Sequence, residues 1–314
     1  MNLIVNLRGS ILGKKIRKNM STWPGYQQIN LGVPGYGVKK FSRVVLSLLS
    51  DTMQMNSSAR SRLKLTAKMR NTLTGQVLVI GNGPSASNIT ARQVSRFKSL
   101  GGKVLVMNDF INSDLASSIE VDFYSLIDPD YWNEKNSGDE FRLRFGEYIM
   151  KFGKDCKIIQ PAIRAKICEN HGDYLFVDIR SVAGLLHWGQ PHKPWGYPAS
   201  VALSSIAALK FLGYSQIYFA GLDSDSYKNF FVDDMNTILF DSRSNYFYSN
   251  QSSKQPNSLP SIRGMQDWPI RNMPDVLFAA SIFLRDQKRL MQDVCINVGG
   301  DSTNDTCPRA CLIE

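Results

Sequence analysis

The sequence is short of histidine, of cysteine and of long apolar runs, and each shortage excludes a class of protein. Three histidines and five cysteines among 314 residues argue against a histidine-rich metal site and a dense disulfide framework. The best candidate for a membrane-spanning helix, residues 201–222, is interrupted by Lys210 and Gly213. The first 18 residues lack the apolar core of a secretory signal. A cytoplasmic location is therefore expected, with reduced thiols unless Cys307 and Cys311 pair.

Acidic residues are almost absent from the first 75 positions. This segment holds 13 lysines and arginines but only Asp51 as an acid, a net charge of +12, while the remaining chain sums to −2. Apolar residues recur at helical spacing over residues 41–53, next to three basic residues. Such a helix either packs on its own protein or lies on an anionic membrane surface. We predict a basic extension over residues 1–75, and no nucleic-acid-binding motif accompanies its charge.

From residue 76 the sequence alternates strand-like apolar runs with helix-like segments. This alternation is typical of a parallel sheet with helices on both faces. We therefore predict one Rossmann-like α/β domain over residues 76–314, with the basic helical extension before it. The predicted strands cover residues 77–80, 103–107, 121–127, 156–160, 174–177, 216–220 and 294–298. The predicted helices cover about residues 86–99, 140–152, 161–169, 200–212 and 275–291.

The first predicted strand ends in Gly81-Asn82-Gly83-Pro84-Ser85. Glycines let a ligand approach the backbone closely, and proline suits the first turn of a helix, which Ser85 or Ser87 is expected to cap. Backbone N–H groups and the positive end of the helix dipole then converge on one point, an arrangement that binds phosphate. We predict a phosphate-binding loop here. The alternative is a tight strand-to-helix turn that binds nothing.

Polar residues also follow four other predicted strands. The carboxyl ends of parallel strands meet at one edge of the sheet, where ligands bind in open α/β folds. These side chains therefore predict a site at that edge. They are Asn108 and Asp109, then Asp128, then Gly221, Asp223, Asp225 and Tyr227, and finally Ser302.

A dinucleotide site is the less favoured interpretation of this loop. Gly81, Gly83 and Ala86 match the G-x-G-x-x-A pattern, but the match alone is weak. The acid that would bind the ribose, Asp109, lies 28 residues after Gly81 instead of about 20. Pro84 also interrupts the turn.

Four segments of the chain, in order, resemble the CMP-sialic-acid-dependent sialyltransferases of bacterial surface glycolipids. They are VLVIGNGPSAS, VLVMNDF, FYSLIDPDYW and SVALSSIAALKFLGYSQIYFAGLDSDSY, within roughly residues 76–235, with a fainter similarity at INVGGDSTND. The opening also resembles motility-associated glycosyltransferases and pterin diphosphokinase-like proteins. The resemblance implies an inverting glycosyltransferase that moves a sugar from a CMP-linked donor to a glycolipid or polysaccharide, as in lipopolysaccharide or capsule assembly. It implies no metal and no other cofactor.

The resemblance also assigns roles to individual residues. The asparagine that contacts the donor phosphate falls on Asn82, and a second asparagine, after the next strand, falls on Asn108. A tyrosine that donates a hydrogen bond to the leaving phosphate falls on Tyr227. Three further positions of the donor site fall on Ser200, Gly221 and Asp223.

Two departures from the family concern charge and the general base. This chain has Asp128 where the family has an asparagine. The family uses a histidine as base after the Gly-x-Asp segment, whereas no histidine follows His192 in this chain. We therefore predict that Asp223 or Asp225 accepts the proton, a role that a buried carboxylate can fill.

Residues 228–274 are polar with interleaved aromatic and basic residues, which favours a lid or substrate loop over the site. A disordered loop is the alternative. Two rival functions remain open. A Mg²⁺-dependent diphosphotransferase would use Asp128, Asp223 and Asp225 as metal ligands, and a catalytically degenerate protein would only bind the nucleotide.

Overall fold

The computed structural model describes thirteen stretches of the chain, and every structural statement below concerns these residues. They are residues 52–53, 55–127, 146–147, 155–164, 173–179, 190–193, 201–223, 230–232, 238–240, 288, 290–291, 293–300 and 306–312. The predicted amphipathic helix at residues 41–53 lies outside them except for its last residues. Within the described residues no helix is both long enough and apolar enough to cross a membrane.

Seven of the described strands form one parallel sheet in the order β5-β4-β3-β2-β1-β6-β9, and β7 pairs with β8 in a separate antiparallel ladder. The predicted parallel α/β fold is thereby confirmed. The strands are β1 Gln76–Ile80, β2 Lys103–Met107, β3 Phe123–Ser125, β4 Lys157–Pro161, β5 Asp173–Val177, β6 Gln216–Ala220, β7 Phe230–Val232, β8 Ile238–Phe240 and β9 Cys295–Asn297.

The central strands are buried on both faces because helices cover both sides of the sheet. The described α-helices include α1 Ser57–Lys68, α2 Ala91–Ser99 and α3 Val201–Leu212. Leu78 and Ile80 of β1 belong to the core cluster that contains Val94 and Phe97 of α2. Alternation along the strand turns the neighbouring Val77 and Val79 to the other face, where they join the cluster of α3. This two-sided burial explains why the strands are continuous apolar runs.

The segment between β1 and α2 differs from the prediction of one continuous helix. A 3₁₀ helix at Pro84–Asn88 comes first, and α2 begins only after Thr90. Thr90 and Gln93 form a capping box, in which each side chain satisfies the other residue's backbone N–H. The prediction that Ser85 or Ser87 caps the helix is therefore wrong. The Ser87 hydroxyl instead donates to the Pro84 carbonyl at 2.8 Å.

Helix α1 covers the edge strand β5, although it comes from the segment that we predicted to be a basic extension. Asn56 caps its start by accepting a hydrogen bond from the Ala59 N–H at 2.8 Å. The buried Thr66 hydroxyl donates to the Phe176 carbonyl at 2.9 Å and accepts from the Phe176 N–H at 3.0 Å. The guanidinium of Arg62 lies 5.5 Å from the centre of the Phe176 ring. One hydroxyl thus satisfies two backbone groups of an edge strand.

We expect Thr66→Val to destabilise the fold by about 1–3 kcal/mol, since both the N–H and the carbonyl of Phe176 would be buried without a partner. Urea unfolding measures the difference in the free energy of unfolding. Thr72→Val is the matched control because the Thr72 hydroxyl donates to the Met69 carbonyl on the exposed surface. The control should stay within about 0.5 kcal/mol of the parent. Equal losses in the two variants would contradict the bridging role of Thr66.

One further prediction concerns the lid. The antiparallel pair β7–β8 lies inside residues 228–274, whose other residues are outside the described part of the chain. The lid role stays a prediction.

The expected alternative of a Cys307–Cys311 pair is not observed, since both are free thiols and only Cys307 is buried. Burial, with a smaller contribution from Asp122, raises the pKa of Cys156 to about 12.

Candidate functional site

The candidate site lies at the carboxyl ends of β1 and β6, where the chain changes direction across the sheet. From β1 the chain passes through α2 to β2 on one side, and from α3 it enters β6 on the other side. The two helices belong to different core clusters, one on each face. A switch point of this kind is the usual ligand position in an open α/β sheet.

The loops after β1 and β6 are joined directly, and glycines make the contact possible. The Gly81 N–H donates to the Ala220 carbonyl at 2.8 Å, and the Gly83 N–H donates to the Gly221 carbonyl at 2.9 Å. Gly221 has φ +73°, and a Cβ built on it would lie 2.5 Å from the Gly81 carbonyl oxygen. A Cβ on Gly81 would overlap the Gly221 carbonyl oxygen. Both positions therefore require glycine.

A serine and an aspartate hold the same two loops together. The Ser85 N–H donates to Asp223 Oδ2 at 2.8 Å, and the Gly221 N–H donates to Ser85 Oγ at 2.9 Å. Both side chains are buried, at 7% and 6% exposure. The Ser85 N–H that we predicted to meet a phosphate thus meets a carboxylate. We call this set of contacts the Ser85–Asp223 clamp.

The loop after β9 reaches the same clamp from the far edge of the site. The Gly299 N–H donates to Asn297 Oδ1 at 2.9 Å, which turns the chain back toward β1. A Cβ on Gly299 would lie 2.6 Å from Ser85 Oγ. Three of the five polar loops predicted to share one edge therefore meet at Ser85.

Three amide side chains occupy one row across the carboxyl edge. Asn82 and Asn108 each lie two residues beyond Ile80 and Val106, which are partners in the β1–β2 ladder. Gln160 directly follows Ile159, and the ladders align Ile159 with Ser125 of β3 and, through it, with Met107 of β2. Gln160 and Asn108 are therefore at the same level. Between them lies Leu126 of the β3 chain. We call Asn82, Asn108 and Gln160 the amide row.

The amide row carries buried polar atoms that lack hydrogen-bond partners. Within the part of the chain that the structure describes, Oδ1 of Asn82, Oδ1 of Asn108 and both polar side-chain atoms of Gln160 have none. More than nine in ten buried polar groups in proteins are paired, and an unpaired one costs about 1–3 kcal/mol. A row of such groups at a sheet edge is the arrangement expected where a ligand supplies the partners.

The backbone at Asn108 is strained and is held by a tyrosine. Asn108 has φ +47°, a conformation that is rare for residues other than glycine. Its carbonyl accepts a hydrogen bond of 2.6 Å from the Tyr124 hydroxyl, which in turn accepts from the Ile111 N–H at 3.2 Å. Strained residues that the surroundings fix in this way cluster at functional sites.

The structure brings together seven of the predicted site residues and leaves five outside the described part of the chain. Those brought to the edge are Gly81, Asn82, Gly83, Ser85, Asn108, Gly221 and Asp223. Those outside are Asp128, Ser200, Asp225, Tyr227 and Ser302. Among the described residues, no group of three or more His, Cys, Asp or Glu side chains is placed to hold a metal.

Gln160 is the residue that sequence reasoning missed. The signal was present, since a glutamine stands at the end of the strand sequence KIIQP, where only apolar residues precede it after the first lysine. A polar residue near the carboxyl end of a buried strand indicates a site residue in the same way as Asn108 does.

No protein-family model and no curated protein matches the chain. Among solved structures, the MAf glycosyltransferase from Magnetospirillum magneticum AMB-1 is a structural neighbour, with a TM-score of 0.46 and 11% sequence identity. The superposition covers 88% of this chain and 41% of that chain, so the chain spans about two fifths of the neighbour's length. The Rossmann-like assignment rests on the parallel sheet itself.

Proposed function

We propose that the protein is a glycosyltransferase that uses a nucleotide-linked sugar, with CMP-activated sialic acid or a related CMP-linked 2-keto sugar as the favoured donor. The observation that carries the proposal is the amide row, with its unpaired buried oxygens beside the switch point of the sheet. The four segments that resemble the sialyltransferases contain Asn82, Asn108 and the clamp residues.

The donor phosphate and ribose are assigned to Asn82 and Asn108. A carboxamide offers NH₂ donors to phosphate oxygens and a carbonyl acceptor to ribose hydroxyls, so one side chain serves both groups. The loop residues 81–85 and 221–223 contain no lysine or arginine. In this proposal the phosphate therefore receives hydrogen bonds from neutral amide groups instead of from lysine or arginine side chains. Because Asp223 already occupies the Ser85 N–H, the phosphate belongs on the side of the loop nearer Asn108.

Transfer requires a group that stabilises the leaving phosphate and a base that takes the acceptor's proton. We assign the first role to Tyr227, whose phenol can donate to the developing charge. We assign the second to Asp223 or Asp225, which follow β6 in the sequence. Residues 228–274 would close over the acceptor as a lid.

The acceptor is proposed to be a glycolipid or polysaccharide at the inner face of a membrane. The basic charge of residues 1–75 favours an anionic surface, at about 1 kcal/mol for each engaged lysine or arginine. Co-sedimentation with anionic vesicles tests this location. Unchanged binding after deletion of residues 1–50, which leaves α1 in place, would rule it out.

Calorimetric titration of the full chain with CMP, ATP and NAD, each with and without Mg²⁺, tests the proposed function. We expect CMP to bind without Mg²⁺, and we expect Asn108→Leu to weaken CMP binding by about 10-fold or more because a ribose or phosphate partner is lost. Ser117→Ala is the control, since its exposed hydroxyl contacts only the Asp114 carbonyl and the neighbouring Ser118 hydroxyl.

The other outcomes of the titration separate the rivals. ATP binding that requires Mg²⁺ would favour the diphosphotransferase, and NAD binding would favour the dinucleotide site. If none of the three ligands binds, the glycosyltransferase proposal fails.

A further inference from the structure

Gln160 has no role in the function proposed above, yet it is the most deeply enclosed member of the amide row. Its side chain has 0% exposure. Neither Nε2 nor Oε1 has a hydrogen-bond partner among the described residues. A buried amide that lacks both partners destabilises the ligand-free protein. The position therefore calls for a partner that presents one acceptor and one donor side by side.

The sheet places Gln160 on the same face as Tyr124, the residue that supports the backbone of Asn108. Side chains alternate along β4, so Gln160 shares a face with Ile158, which belongs to the same core cluster as Tyr124. Tyr124 is the ladder partner of Ile158 and holds the Asn108 carbonyl. Gln160 and Asn108 thus lie on either side of the β3 chain, and Gln160 is on the face that α2 covers.

The spacing along the row fits the parts of a nucleotide. β2 and β4 are two strands apart, about 10 Å at the usual strand separation, and a ribose joined to a base covers a comparable length. The residue at the same level in the intervening chain is Leu126, which is 2% exposed and apolar. From β2 to β4 the edge therefore presents the amide of Asn108, then the apolar Leu126, then the amide of Gln160.

The carboxamide of Gln160 complements the edge of a pyrimidine base. Cytosine presents the N3 acceptor beside the N4 donor, and uracil presents the O4 acceptor beside the N3 donor, so Nε2 and Oε1 would both be satisfied by either base. A single sugar hydroxyl leaves one of the two atoms without a well-aligned partner. Enclosure away from water strengthens such paired hydrogen bonds.

We propose that Gln160 reads the pyrimidine base of the donor nucleotide through two parallel hydrogen bonds, with Asn108 at the ribose and Leu126 against the base. This inference rests on the proposed nucleotide-sugar function, which supplies the choice of a pyrimidine, and extends it to the residue that contacts the base.

Titration of the full chain and of Gln160→Met with CMP, UMP and ribose 5-phosphate tests the inference. Methionine has a similar volume but cannot form the paired hydrogen bonds. We expect CMP or UMP affinity to fall about 10-fold to 100-fold, as for the loss of one bidentate base contact, while ribose 5-phosphate affinity stays unchanged. The ligand-free melting temperature should rise by about 2–4 °C because the unpaired amide is gone. Gln160→Leu replaces the methionine variant if that variant does not fold.

Gln216→Met is the matched control, since Gln216 begins β6 at the opposite, amino edge of the sheet. It should change no affinity. Equal CMP affinity in Gln160→Met and the parent would overturn the inference and leave the proposed function standing. An equal loss for ribose 5-phosphate would also overturn it, since the amide would then act on the phosphate end. If the parent binds none of the three ligands, the proposed function itself fails.

Discussion

Gly221→Ala is expected to destabilise the protein by about 2–5 kcal/mol. The methyl group would force a left-handed backbone conformation on alanine and would overlap the Gly81 carbonyl, and the two penalties add. The new methyl group would also contact Ala86, because the same Cβ would lie 2.9 Å from the Ala86 Cβ. Urea unfolding followed by circular dichroism gives the change in the free energy of unfolding.

Gly101→Ala separates the collision from the backbone strain. Gly101 has φ +85°, comparable to the +73° of Gly221, but a Cβ built on it meets nothing within 4 Å. Its alanine variant should therefore lose only the backbone contribution, about 1–3 kcal/mol. If the two alanine variants unfold at the same urea concentration, the close contact between the loops does not contribute to stability. CMP binding should weaken only in Gly221→Ala, since only that change disturbs the loop beside Asn82.

Asp223→Asn is expected to lower kcat by about 10²–10⁴-fold if Asp223 takes the acceptor's proton. The amide keeps an oxygen that can accept from the Ser85 N–H, so the clamp and the fold should survive the change. Loss of rate with unchanged thermal stability would therefore identify the base. Transfer of sugar from saturating CMP-linked donor is the measurement, with thermal unfolding as the test of the fold.

Asp225→Asn is the matched variant because it removes a carboxylate two residues further along the same segment. Loss of rate in Asp225→Asn alone would move the base to that residue and leave Asp223 as a clamp. Tyr227→Phe in the same assay should cost about 10-fold or more if the phenol meets the leaving phosphate. Parent rates in all three variants would contradict the assignment of the chemistry to residues 223–227.

The strands and their parallel arrangement were predictable because β1, β2 and β6 are largely apolar runs that are followed directly by glycine or asparagine. The predicted strand at residues 103–107 coincides with β2, and the one at residues 216–220 coincides with β6. Burial on both faces removes the alternation that marks half-exposed strands, which leaves a clear signal in sequence. For the same reason the edge where polar loops meet could be located before the structure was known.

The local start of α2 and the whole of α1 were harder to predict. Two serines between Pro84 and Thr90, as well as Thr90 itself, can cap a helix. Only Thr90 has a glutamine three residues later, Gln93, with which it forms a capping box. The buried residues of α1, Ala59, Leu63 and Thr66, include a threonine, so its apolar face is narrow. The basic charge of this segment does not predict its packing, since charged side chains report on the exposed face of a helix and not on the buried one.

The contacts of the clamp and the alignment of the amide row could not be predicted from the sequence because they join residues far apart in the chain, although Asn82, Asn108, Ser85 and Asp223 were predicted as site residues. Ser85 and Asp223 are 138 positions apart, and neither pattern nor spacing records that they touch. Polarity alone assigned both residues to the edge, but it could not show that the carboxylate would occupy the serine's N–H. Gln160 differs from these residues, since its position near the carboxyl end of a buried strand is visible in the sequence, but only the structure shows that its side chain lacks hydrogen-bond partners.

The order of strands in the sheet bears on how the protein is made. On a ribosome β1 to β5 emerge first and can pair among themselves, but β6, which completes the other side of β1, follows only after α3. Closing the long loop between β1 and β6 costs chain entropy, which is offset only after the two strands have made their contacts. The β1–β6 pairing therefore belongs to a late step of folding. Until that step the open flank of β1 is an unpaired edge, exposed to neighbouring chains and chaperones. The carboxyl edge that holds the clamp is thus completed only after β6 and β9 have been synthesised.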